Sequence, residues 1–210
     1  MAPGSRPKQR AENEVEFGRI VAFSDGVFSI AITLLVLNLG IDKGLTEGQI
    51  DNALWDQREM FFAYAISFAV IGRFWLVHHR FFSEVNAFDG RLIGLNLVYL
   101  GWIVLIPFSS EVLGEYGGKT TAVVLYSVNL AVVVLLGLAM SADARRRGLT
   151  KIDDRTHREN QIRATYIAGI FLLSIPIALV APKLAPWLWL VLFVDPSSRL
   201  AGRAVSRVGP

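Results

Sequence analysis

Long apolar runs alternate with short charged connectors along the whole chain. The first run is Arg19–Leu39, RIVAFSDGVFSIAITLLVLNL. At about 1.5 Å per residue its helix would reach roughly 31 Å, the thickness of one bilayer core. Further runs follow at Glu59–His79, Arg91–Leu113 and Thr120–Ser141, and at about 162–181; a shorter one starts at Leu184 around WLWLVLF. The pattern predicts an all-α, polytopic membrane protein. Its six transmembrane helices fall at approximately 18–40, 59–79, 91–113, 120–141, 162–181 and 184–199, and they form one unit over 18–201 between polar tails at 1–17 and 202–210. Pro176 is expected to kink or end the fifth helix. Between the first two runs, Thr46 and Gln49 have the spacing of a capping box. Ile50, Leu54 and Trp55 would give the helix they start an apolar stripe for the membrane interface. Tyr116-Gly117-Gly118-Lys119 reads as a tight turn.

Charge placement orients these spans. Of 21 Lys and Arg residues, sixteen fall on the side that holds both termini and four on the other, with Arg73 inside the second span. Positive residues stay inside, so both termini are expected in the cytoplasm and the chain in the cell membrane. The net charge of +3 does not point to nucleic acid, because the positive residues sit in connectors and not on a readout face. The absence of cysteine removes disulfides, thiolate metal sites and a Cys nucleophile. No GxSxG, HExxH or phosphate-binding loop is present, so no enzyme is expected, and no cofactor. His78-His79 makes a poor metal site, since adjacent helical residues point about 100° apart and no third ligand is evident. The TVGYG carbonyl filter of the usual potassium channels is also missing.

Candidate chemistry lies in the first span. On a helix, Arg19, Phe23, Ile30, Thr33, Leu34 and Leu37 share one stripe, whereas Ser24 and Asp25 fall off it. Ionisable groups at membrane depth are costly unless paired. Arg73, His78 and His79 lie at matching depth on the second span, so one of them is the expected partner of Asp25. Such a pair would staple the first helix in place, or carry protons in a proton-coupled transporter that uses Asp25 and His78. Asn96 and Asn129 read as helix–helix hydrogen bonders. If four first helices surrounded an axis, Ile30, Leu34 and Leu37 would form apolar rings and Thr33 a ring of hydroxyls; the same spacing also suits an ordinary packed helix.

Arg19 to Asp25 has the form R-x-x-x-F-S-D and is followed by GVFSIAITLLVL; the second span ends in FWLVHHR. These segments resemble the transmembrane protein 175 family of potassium channels in its prokaryotic form. The resemblance implies a potassium-selective leak channel with one six-helix unit per chain, assembled as a homotetramer in the lipid bilayer. The first helix would line the pore, and potassium would be the permeant ion. The family's hydrophobic constriction would fall on Ile30, with Leu34 and Leu37 as further rings and Thr33 as the threonine ring. Arg19, Phe23, Ser24 and Asp25 would serve assembly and gating, together with Arg73, His78 and His79 on the second span.

Overall fold

A computed structural model describes residues 7–193. The α-helices are α1 Pro7–Leu34, α2 Glu47–Asp56, α3 Arg58–Ser83, α4 Gly90–Val104, α5 Ile106–Tyr116, α6 Thr120–Arg146, α7 Asp154–Val180 and α8 Ala185–Trp189. Single 3-10 turns at Leu35–Asn38 and Leu190–Phe193 extend α1 and α8. Apart from one isolated bridge, Val85 to Thr150, the regular structure of the described residues is helical.

Among the described residues five stretches are long and apolar enough to cross a membrane: Val15–Asn38, Arg58–Ser83, Gly90–Tyr116, Thr120–Arg146 and Asp154–Val180. α1 starts at Pro7, inside the segment expected to be a polar tail. The third stretch is two helices broken at Leu105, where Pro107 at the start of α5 has no N–H to donate. α7 starts eight residues earlier than expected, because Asp153 caps it. The Asp153 carboxylate accepts from the Thr156 N–H and hydroxyl, both at 2.8 Å, and those bonds hold its pKa below the usual carboxylate value. Pro176 does not end α7, which continues to Val180. The sixth expected span appears as α8 and its 3-10 turn; beyond Phe193 it lies outside the described residues.

α2 forms with its expected start, where the Gln49 side chain accepts from the Thr46 N–H at 2.9 Å and hydroxyl at 2.8 Å. None of its residues is buried, and Ile50, Leu54 and Trp55 are exposed.

α6 is the central helix, packed on α4, α5 and α7, while α3 pairs with α5. α1 lies at one margin against α3 and α4. Gly114 lets α5 approach α3 closely, since a Cβ there would fall 3.0 Å from the Met60 backbone. Small hydroxyl residues join the helices inside the bundle. Ser67 bonds Ser110 at 2.8 Å and Tyr126 at 2.9 Å, Ser127 bonds Ser174 at 2.7 Å, and Asn129 donates to Ser109 at 2.9 Å. Burying a lone hydroxyl in an apolar core is unfavourable, so such pairs fix which helices meet. At one end of the bundle two connectors are joined by Asn86 N–H to Leu149 C=O at 2.8 Å and by Arg147 paired to Asp89. Gly148, with φ of +67°, makes the left-handed turn that ends α6 there.

Candidate functional site

α1 has two unlike faces. Ser24, Phe28, Ala31 and Leu35 follow one another at spacings of four, three and four, and each is at most 1% exposed. They pack α1 onto its own chain. On the other side Phe23, Ile30, Leu34 and Leu37 are 56%, 58%, 37% and 73% exposed. Arg19 and Thr33 on that stripe are exposed too. The Thr33 hydroxyl donates to the Ile30 carbonyl at 2.9 Å, which leaves its oxygen lone pairs free to face outward. Arg19 takes no ion pair among the described residues.

The buried face is locked by a chain of polar groups. Ser24 donates to the Ile20 carbonyl at 2.9 Å and accepts from the Asn96 side-chain N–H on α4 at 3.0 Å. The Asn96 oxygen lies 2.8 Å from Nε2 of His78 on α3. Asn96 uses its amide N–H on Ser24, so its oxygen accepts and His78 carries its proton on Nε2. The His78 ring stacks on Tyr99, centroids 5.5 Å apart, and contacts Phe28 and Phe82. All three members of the chain are buried. It joins α1, α3 and α4 at one level and orients α1 about its own axis.

Asp25 does not take the expected partner. Its Oδ1 accepts from the Trp75 indole N–H at 2.8 Å, and no ion pair joins it to Arg73, His78 or His79. The reason is helical phase. His78 points into the bundle towards Asn96, whereas Trp75 lies on the side of α3 that Asp25 faces, with its ring against His79 at 5.6 Å between centroids. Arg73 and His79 are exposed. The structure therefore brings Ser24 and His78 together through Asn96 and Asp25 to Trp75, and it gives Asp25 and His78 no direct bond to each other. Trp75 was the partner missed from sequence. A buried indole N–H needs an acceptor, and that requirement was the available signal. Among the described residues no group of three His, Cys, Asp or Glu could hold a metal ion.

These features define a polytopic helical membrane protein whose first helix is fixed on one side and uncovered on the other. The profile of the endosomal/lysosomal potassium channel TMEM175 family matches residues 19–107, the region from Arg19 of the motif through α4 to the α5 proline. A potassium channel of Chamaesiphon minutus is 32% identical over 196 residues, covering 88% of this chain and 95% of the relative. A potassium channel of Streptomyces collinus is 40% identical over 131 residues, covering 60% of this chain and 62% of that protein, so the match spans about three-fifths of the relative's length. The crystal structure of a lysosomal potassium-selective channel TMEM175 homolog from Chamaesiphon minutus superposes with a TM-score of 0.73 at 25% identity, covering 91% of this chain and 98% of that one. The chain belongs to the TMEM175 family.

Proposed function

We propose that this protein is a potassium channel of the cell membrane, a homotetramer with both termini in the cytoplasm and α1 lining the pore. The observation that carries the reading is the uncovered stripe of α1. A helix needing only a lipid-facing surface has no use for Arg19 and Thr33 among its exposed positions. The potassium-channel names of the bacterial relatives from Streptomyces collinus and Chamaesiphon minutus support the ion.

In this reading Ile30, Leu34 and Leu37 of four chains form apolar rings, with Ile30 the constriction. Such rings stop water and ions by dewetting when narrow and pass them when wider. Thr33 oxygens offer lone pairs to a partly dehydrated potassium ion between the rings. The Ser24–Asn96–His78 chain and the Asp25–Trp75 bond hold α1 in the rotation that aims the stripe at the axis. Arg19 and Phe23 belong to the same stripe at its lower end, and Arg73 and His79 lie outside the ion path. The permeant ion is the only ligand required, and no cofactor or catalytic step is involved.

A proton-coupled transporter using Asp25 and His78 is not favoured, because the two residues have separate partners.

The absence of cysteine permits a direct test. A single Leu37→Cys chain treated with a charged methanethiosulfonate should lose most potassium flux, and an oxidant should link chains in pairs. Leu179→Cys, equally exposed but on α7, should react without effect. Full flux after complete reaction at Leu37 would refute the pore-lining role of α1.

A further inference from the structure

The bundle has a second feature that the pore reading does not use. α7 packs tightly on α6, but α3 and α7 stay apart. Between them is a cavity of about 840 Å³. That volume lies within the roughly 300–1,000 Å³ of sites that hold small molecules. Its walls differ from end to end. Towards the middle of the bundle it is apolar, lined by Val70, Val134, Ile167, Phe171 and Trp189. In the C-terminal half of α3 and the N-terminal half of α7 it is lined by Arg73, Arg80 and Arg163. None of the three arginines takes an ion pair among the described residues. The Arg163 Nε is shielded from solvent and has no hydrogen-bond partner among them. Glu84 is the one carboxylate on the lining, and the uncharged Thr156, Asn160 and Gln161 add donors at the same end. The rim carries Leu76 and Val77, both apolar and exposed.

An apolar slot with an apolar rim and a cationic end matches an amphiphile with an anionic head. We propose that an anionic phospholipid of the surrounding bilayer occupies this cavity, with an acyl chain between α3, α6 and α7 and its phosphate on Arg73, Arg80 and Arg163. Guanidinium groups meet phosphate oxygens bidentately, and three of them against one carboxylate leave net positive charge for the headgroup. Arg73 lies fifteen residues into the 26-residue α3, roughly 22 Å along it, so its charge sits at membrane depth and gains from a counter-ion. Zwitterionic lipids supply no net charge for this end.

The test uses the full chain, purified and stripped of lipid in detergent, with bound lipid counted by native mass spectrometry. Phosphatidylglycerol should bind and phosphatidylcholine should bind far less. The double variant Arg73→Gln, Arg163→Gln should weaken phosphatidylglycerol about 25-fold, taking about fivefold for each arginine lost. Arg73→Lys, which keeps the charge but not the bidentate fork, should lose less affinity than Arg73→Gln, which separates loss of charge from loss of fold. Ala69→Phe, on the cavity wall, should block the acyl chain while leaving every arginine in place. Equal binding of the two lipids, or wild-type affinity in the double variant, would overturn the proposal. Displacement of the lipid by glycerol 3-phosphate at matching concentration would overturn it in favour of a site for free phosphate. Efficient photo-cross-linking between chains from benzoylphenylalanine at Leu76 would overturn it in favour of a neighbouring subunit as the occupant. None of these readouts depends on ion flux.

Discussion

Ser24 and Asp25 are neighbours in sequence and take partners on different helices. Ser24 reaches Asn96 on α4, and Asp25 reaches Trp75 on α3. Trp75 needs an oxygen acceptor and not a charge, so Asp25→Asn should keep the bond and retain near wild-type thermal stability in detergent. Asp25→Leu leaves the indole N–H unsatisfied and should cost about 1–3 kcal/mol. If Asn and Leu destabilise equally, the bond to Trp75 is not what Asp25 contributes. Asn96→Leu removes the centre of the other chain, leaving buried His78 without its acceptor and Ser24 with only its bond to the Ile20 carbonyl. It should be the more damaging change, lowering stability by about 2–4 kcal/mol in a denaturant titration, with His78→Phe in the same background recovering part of the loss. The motif itself was legible in the sequence, since Ser24 and Asp25 fall off the apolar stripe of their helix. Their partners were not. Charge complementarity pointed from Asp25 to His78, His79 or Arg73, but side-chain direction on α3 decides the matter. His78 and Trp75 are three residues apart and project to different neighbours, and no single-sequence argument fixes the rotation of one helix against another.

At the scale of the element, α1 is where burial and exposure separate most clearly. Phe28 fills the core between α3 and α4, touching His78 and Tyr99. Phe28→Ala should cost about 3–5 kcal/mol of stability, as large core truncations do. Leu37→Ala, on the uncovered stripe, should change the stability of the isolated chain by less than about 0.5 kcal/mol. Comparable losses at both positions would mean that α1 does not have the two faces described. Hydropathy located the membrane-crossing helices to within about five residues where the apolar run fills most of the helix, as in α3 and α6. It failed where polar helix continues beyond the apolar run. α7 begins at its Asp153 cap, and α1 begins at Pro7, in a segment whose polarity resembles a tail. Pro176 was legible as a breaker, yet α7 runs on through it. The proline removes one internal hydrogen bond, and the Thr120 hydroxyl, donating to the Ala178 carbonyl at 3.0 Å, ties the following turn to α6.

At the scale of the whole molecule, the described helices pack around α6, which contacts α4, α5 and α7. The bundle presents α1 at its margin, held inward by Phe28 and the Ser24–Asn96–His78 chain, with Ile30, Thr33, Leu34 and Leu37 directed away from its own core. That arrangement has a use if copies meet around an axis, as proposed above. The stripe could be drawn from the sequence by helical phase, but the same phase suits a helix packed in a core; exposure of the stripe separates the two cases. The decisive measurement is potassium and sodium flux from liposomes holding the purified protein, with wild type beside Ile30→Asn. The account predicts that wild type passes potassium faster than sodium without a proton gradient, and that Ile30→Asn, by wetting the narrowest ring, raises flux or narrows the difference between the ions. Absence of flux, or flux that requires a proton gradient and ignores Ile30, would contradict it.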